Sequence, residues 1–166
     1  MRQLPLPISA AAQPSLDNYL AGSNAEALDR VRALAAGRLA EAIVYLWGEP
    51  GSGRTHLLRA AVQANPALVT ADDVETLDAG GQQALFIAIN AARDGGPCVL
   101  AAGKAPPAGL ELREDLRTRL AWGLVYHLKP LTDPEKARHL RAEAAHRGLE
   151  LSEEVVWYLL SHLPRD

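Results

Sequence analysis

The residues Gly48-Glu49-Pro50-Gly51-Ser52-Gly53-Arg54-Thr55 follow an apolar segment at 42–47 and precede a helix-forming run at 56–63. That order of strand, loop and helix is the one in which backbone amides build a cradle for phosphate. Gly48, Gly51 and Gly53 let the chain turn tightly enough to aim successive N–H groups at phosphate oxygens, and the helix N-terminus adds partial positive charge. Pro50, Ser52 and His56 complete the candidate nucleotide contacts, and Thr55 offers the hydroxyl expected on Mg2+. Arg54 stands where such loops carry lysine. Its bulkier, planar fork suits holding phosphate while supporting hydrolysis poorly. A second apolar segment, 67–71, ends in Asp72-Asp73, which places carboxylates at the carboxyl end of a buried strand, where open α/β sheets bind ligands. Through water or the Thr55 hydroxyl they would support Mg2+. A glycine-rich turn without ligand and a solvated acidic turn are the respective alternatives.

The elements that must position these residues follow from periodicity. Ala27, Leu28, Val31, Leu34 and Ala35 recur at helical spacing within 24–40, which predicts a helix before the first strand. Further strands are expected at 67–71, 98–102 and 124–128, with helices at 77–92 and 113–120 between them; such alternation indicates a mostly parallel sheet. Thr132-Asp133-Pro134-Glu135 has capping-box spacing and predicts a helix over 133–146, ended by Gly148. Ser152 can cap a second helix through Leu163, stopped by Pro164. Residues 1–13 carry Pro5 and Pro7 and read as an extended tail, 14–130 as an α/β core, and 131–166 as a partial helical lid.

A length of 166 residues and a net charge of −3 fit one compact unit and argue against a dedicated basic surface for nucleic acid, so any DNA contact is expected to be indirect. Cys98, the only cysteine, lies in an apolar run and reads as a small buried side chain suited to a reducing cytoplasm. No segment has the length to span a membrane. The five histidines lack metal-ligand spacing, and Trp47, Trp122 and Trp157 read as packing residues.

Together, Pro14-Ser15-Leu16-Asp17-Asn18-Tyr19, residues 47–58, Asp72-Asp73-Val74-Glu75 and Thr118-Arg119-Leu120-Ala121-Trp122-Gly123 resemble the AAA+ ATPases of the bacterial replication initiator DnaA group, most closely its Hda-type regulatory members. The resemblance covers almost the whole chain, and the last block is its most specific part. Arg54 in place of lysine is itself a feature of Hda-type proteins. The resemblance implies a P-loop AAA+ core with a helical lid, binding ADP or ATP with Mg2+ at Thr55, Asp72 and Asp73. It also implies that Arg119 is an arginine finger entering the nucleotide site of a neighbouring subunit. Spacing alone does not choose among Arg113, Arg117 and Arg119; position within the block does. The chain departs from the family pattern in lacking a strand and its flanking helices between Gln63 and Leu68, a strand that belongs at a sheet edge. Relative to that pattern the residues run to Asp166, before a third lid helix, and the sensor position after 98–102 offers only Lys104 as a polar side chain.

Gln3-Leu4-Pro5-Leu6-Pro7-Ile8 is similar to the short peptides by which bacterial proteins dock on the sliding clamp of DNA polymerase III. The prolines reduce the ordering entropy when Leu4, Leu6 and Ile8 enter apolar pockets, and Gln3 can hydrogen-bond at the rim. The combined expectation is a cytoplasmic regulator of replication initiation. It docks on the DNA-loaded clamp, holds adenine nucleotide, chiefly ADP, and promotes hydrolysis of ATP on DnaA; self-association stays open. An autonomous P-loop ATPase and a nucleotide-free interaction module are the alternatives.

Overall fold

The computed structural model describes residues 13–162, so the Gln3–Ile8 peptide, Leu163 and Pro164 lie outside the described residues. Helix α1 (Ala25–Ala35) buries Ala27, Leu28, Val31 and Leu34. It ends at Ala35, before residue 40, because Gly37 at φ 70° takes the left-handed conformation that reverses the chain. Strand β1 (Ile43–Trp47) is buried on both faces, which its uninterrupted apolar sequence requires. There follow α2 (Arg54–Ala64), β2 (Val69–Ala71), α3 (Ala79–Arg93), β3 (Val99–Gly103), α4 (Glu114–Leu120) and β4 (Leu124–His127).

The four strands form one sheet in the order β2-β3-β1-β4, and every pairing in it is parallel. Val44 and Leu46 join Leu28, Val31, Leu57 and Ala61 in a core between the sheet and α1 and α2. Ile43 and Tyr45 join Leu85, Ile89, Leu116 and Leu120 in a second core between the sheet and α3 and α4. The period of two along β1 thus feeds both faces of a three-layer α/β core. Cys98 is only half-buried, packed against the first of these cores.

Residues 65–68 carry the chain directly from α2 to β2. Asn65 closes this join: its Oδ1 accepts from the Ala67 amide at 3.0 Å and its Nδ2 donates to the Ala35 carbonyl at 3.2 Å. β2 pairs only with β3, so the edge position expected for the absent strand is the edge that this short join leaves open.

The lid consists of α5 (Asp133–His146) and α6 (Glu153–His162). Thr132 and Glu135 form the predicted capping box. These bonds to Thr132 hold the Glu135 carboxyl below its ordinary range, so the cap persists at neutral pH and is lost only as pH falls through that lowered value. Only Ala144 and Val156 are buried in these helices. Trp157 is 53% exposed and is therefore not the packing residue that its type suggests. Among the described residues no helix is long and apolar enough to cross a membrane.

The segment that leads from β4 toward the lid is held to the core through Asn24, which is buried. Its Oδ1 accepts from the Lys129 amide at 2.9 Å, and its Nδ2 donates to the Lys129 carbonyl at 2.8 Å and to the Tyr19 hydroxyl at 3.2 Å. Replacing it removes both bonds to the Lys129 backbone, which are partly buried, so Asn24→Ala is expected to cost about 1–2 kcal/mol of stability, read as a lower urea midpoint with an unchanged slope.

Candidate functional site

Gly48 opens the loop at the carboxyl end of β1. Its amide donates to the Gly103 carbonyl at the end of β3 at 3.2 Å, while the Leu128 amide, after β4, donates to the Trp47 carbonyl at 2.7 Å. A Cβ on Gly48 would stand 2.5 Å from the Leu128 carbonyl oxygen and 2.7 Å from Ser52 Oγ, so no side chain fits there. Gly51 and Gly53 have φ of 83° and 92°, and α2 begins at the next residue, Arg54. Its first amides have no preceding helical turn to bond and face the loop.

Two buried polar atoms in this loop have no partner within the described structure, Ser52 Oγ and Arg54 Nη1. A buried donor left unpaired is costly, and an anionic ligand rich in acceptor oxygens would satisfy both. Thr55 Oγ1 donates to Asp72 Oδ2 at 2.6 Å. The pair lines an open groove of about 740 Å³ together with Pro14, Arg59 and Thr70. A hydroxyl and a carboxylate at a strand end suit a hard cation that shares phosphate oxygens, so Thr55 and Asp72 fit Mg2+. The described residues contain no cluster of His, Cys, Asp and Glu able to hold a metal by themselves. Asp73 points elsewhere, its Oδ1 3.5 Å from Arg54 Nη2. Pro50 is exposed at the loop's outer turn.

The segment before α1 closes over the loop. His56 Nε2 lies 3.0 Å from Asn18 Oδ1 and 3.2 Å from the Ser15 carbonyl, and the Tyr19 ring packs edge-on against His56. A Cβ on Gly53 would meet that ring at 2.9 Å. Burial raises the Tyr19 hydroxyl's pKa, partly offset by its bond to Asn24. The contact of Asn18 and Tyr19 with the loop has no signal in local spacing; it arises when α1 and α2 pack side by side. Lys104, the polar side chain expected at the sensor position, is exposed and bonds through its amide to Glu75 Oε2 at 3.3 Å. The Tyr45 hydroxyl donates to the Ala105 carbonyl at 2.6 Å, and burial, with Glu75 nearby, raises its pKa.

Arg119 lies at the other end of the sheet. Its Nε donates to Asn90 Oδ1 at 2.9 Å, and its guanidinium carbon sits 3.8 Å from the Trp122 ring centre and 5.0 Å from that of Phe86. Arg93 stacks on Trp122 as well, at 4.2 Å, and Trp122 is 38% exposed, a platform for arginines more than a core residue. Trp122 and Gly123 border a cavity with Ala42 and Ile43, at the start of β1, whereas the loop follows its end. A strand of five residues separates the two by about 13 Å. Arg113 is fully engaged, bound twice to Asp115 and once to Gln83, which lowers the Asp115 pKa. Phe86 and Asn90 face Arg119 from one turn of α3 to the next, a pairing that sequence inspection does not single out.

A family model for the Hda lid domain matches residues 133–166. An uncharacterized protein of Haemophilus influenzae is 32% identical over 197 residues, covering 99% of this chain and 85% of the relative. That alignment exceeds the 166 residues present here, so the relative has residues without counterparts in this chain. Among solved structures, AMPPCP-bound DnaA from Aquifex aeolicus superposes with a TM-score of 0.76 at 20% identity, covering 92% of this chain and 61% of that one. Domain III of Thermotoga maritima DnaA gives a TM-score of 0.72 at 22% identity over 89% of this chain and 80% of that one. The chain spans about three fifths of the longer DnaA molecules it matches, and the likeness establishes their AAA+ fold.

The tight seat of Gly48 yields a direct test. Gly48→Ala forces a methyl group against a backbone carbonyl that cannot swing aside, so a loss of about 1–3 kcal/mol is expected, measured by urea denaturation.

Proposed function

The chain belongs to the Hda-like, DnaA-homologous AAA+ family, and from that premise we propose that it regulates replication initiation by promoting hydrolysis of ATP bound to the initiator DnaA. Adenine nucleotide, chiefly ADP, occupies the loop from Gly48 to His56, with Thr55 and Asp72 toward Mg2+. Residues 3–8 dock on the DNA-loaded sliding clamp, which brings the protein to its partner. Arg119 acts on the partner's nucleotide.

The observation that carries this reading is the stacking of Arg119 on Trp122, which borders the start of β1, whereas the chain's own loop follows the end of that strand. An arginine held there serves a neighbour's site better than its own. Phosphoryl transfer spreads negative charge over the transferring group, and a forked, permanently charged donor stabilises it. Asn90 holds Nε, while Trp122 and Phe86 support the flat guanidinium, so the terminal nitrogens remain for the incoming phosphate.

Hydrolysis of ATP preloaded on DnaA, with DNA-loaded clamp present, is the test. Arg119→Ala is expected to lower the stimulated rate by on the order of 10³ or more, and Arg119→Lys to rescue little because it lacks the fork. Equal stimulation by parent and Arg119→Ala would overturn the assignment. Rapid ATP turnover by the protein alone would favour an autonomous ATPase.

Docking is tested separately. Replacing Gln3, Leu4 and Leu6 by alanine should abolish clamp capture in a pull-down while ADP binding, measured by calorimetry, persists. Clamp retention by the triple variant would remove the docking assignment.

A further inference from the structure

Arg54 is walled in, its side chain only 11% exposed, and it meets Asp73 at 3.5 Å through Nη2. A guanidinium does not shed its proton, so a buried one requires an anion beside it. Asp73 is that anion, and among the described residues it is the carboxylate paired with Arg54. Its own backbone is unusual: Asp73 is the non-glycine residue with positive φ, 45°, among those described. Aspartate and asparagine tolerate that conformation better than other side chains, and such strain persists where the surroundings enforce it. The neighbouring Asp72 is occupied differently, by Thr55 Oγ1 and by the Asp73 amide. Two adjacent acids therefore serve two different partners.

The partners also differ in freedom. The Asp73 side chain is 53% exposed and can turn into water, whereas Arg54 has little room to leave. Arg54 Nη1 is meanwhile buried without an acceptor among the described residues. Resting on the nucleotide reading above, we propose that Asp73 is the resident counter-ion of Arg54 in the nucleotide-free site and is displaced from it by the phosphate of the incoming nucleotide. One anion replaces another on the same guanidinium. Asp73 thus competes with the ligand and does not hold its metal, and Thr55 with Asp72 remains the pair facing Mg2+.

The experiment titrates ADP by calorimetry into the full chain, in Mg2+ and in EDTA, for the parent, Asp73→Asn, Arg54→Ala and the double variant. Asparagine keeps the side-chain size and tolerates the left-handed backbone, so it isolates the charge. Asp73→Asn is expected to bind ADP about two- to fivefold tighter than the parent in both buffers, the scale of a half-exposed ion pair. That gain should vanish when Arg54 is absent. Where Arg54→Ala binds too weakly to titrate, the cycle is read from urea midpoints of the nucleotide-free proteins: Asp73→Asn lowers the midpoint only when Arg54 is present. Weaker binding confined to Mg2+ would make Asp73 a metal ligand and overturn the proposal. Unchanged affinity, or the same change in both Arg54 backgrounds, would overturn it too. A parent that binds no ADP in either buffer would remove the nucleotide reading itself, whereas a parent that binds beside an unchanged Asp73→Asn removes this inference alone.

Discussion

The phosphate loop depends on a place where three parallel strands end together and leave no room for a side chain. Gly48 is tied to the end of β3 by its amide and closed in by the Leu128 carbonyl beyond β4. Because β1 lies between β3 and β4, the loop leaves from the centre of the sheet, with a strand end on each side to hold it. The left-handed glycines then turn the chain into α2, and α2 in turn delivers Thr55 to Asp72 across from β2. Moving any of these strand ends would shift the loop amides, Thr55 or Asp72 relative to one another.

This hierarchy explains how a sheet of four strands can support the arrangement. A strand missing beyond β2 removes pairing from an edge that carries neither the loop nor Arg119. β2 itself is short, with Thr70 exposed, features that blunt an open edge. Asn65 replaces a long excursion by two side-chain bonds, which fixes the entry of β2 so that Asp72 still reaches Thr55.

Much of this was legible in the residues themselves. Strong apolar runs and alternating helices gave the parallel α/β core, and the Thr132–Glu135 spacing gave the start of α5 to the residue. The glycine-rich loop was placed correctly between strand and helix. What stayed hidden were contacts made by distant segments. Nothing local marks Asn24 as the clasp on Lys129, or Asn18 as the neighbour of His56, or Phe86 and Asn90 as the setting of Arg119. Trp122 and Trp157 depart from the packing role that aromatic type suggests, because type does not fix burial; Trp122 is stacked by arginines at the surface and Trp157 belongs to a lid pair with little core of its own. Cys98, expected to be buried, lies at the first residue before β3, where cover is incomplete.

The arginines of α4 show how context assigns different capacities to one side chain. Arg113 spends its fork on Asp115 and Gln83, and drawing it away would leave that carboxylate unpaired. Arg117 sends a buried Nε into the protein without a hydrogen-bond partner among the described residues. Arg119 is fixed only through Nε, by an uncharged amide, with aromatic faces beside the plane of its guanidinium. Aromatic faces support a cation without consuming its hydrogens, and a neutral acceptor does not cancel its charge. Arg119 is thus held in orientation, and among the described residues no carboxylate forms an ion pair with it, although Asp115 lies near enough to feel its charge; an unpaired guanidinium is the one from which an approaching phosphate gains most.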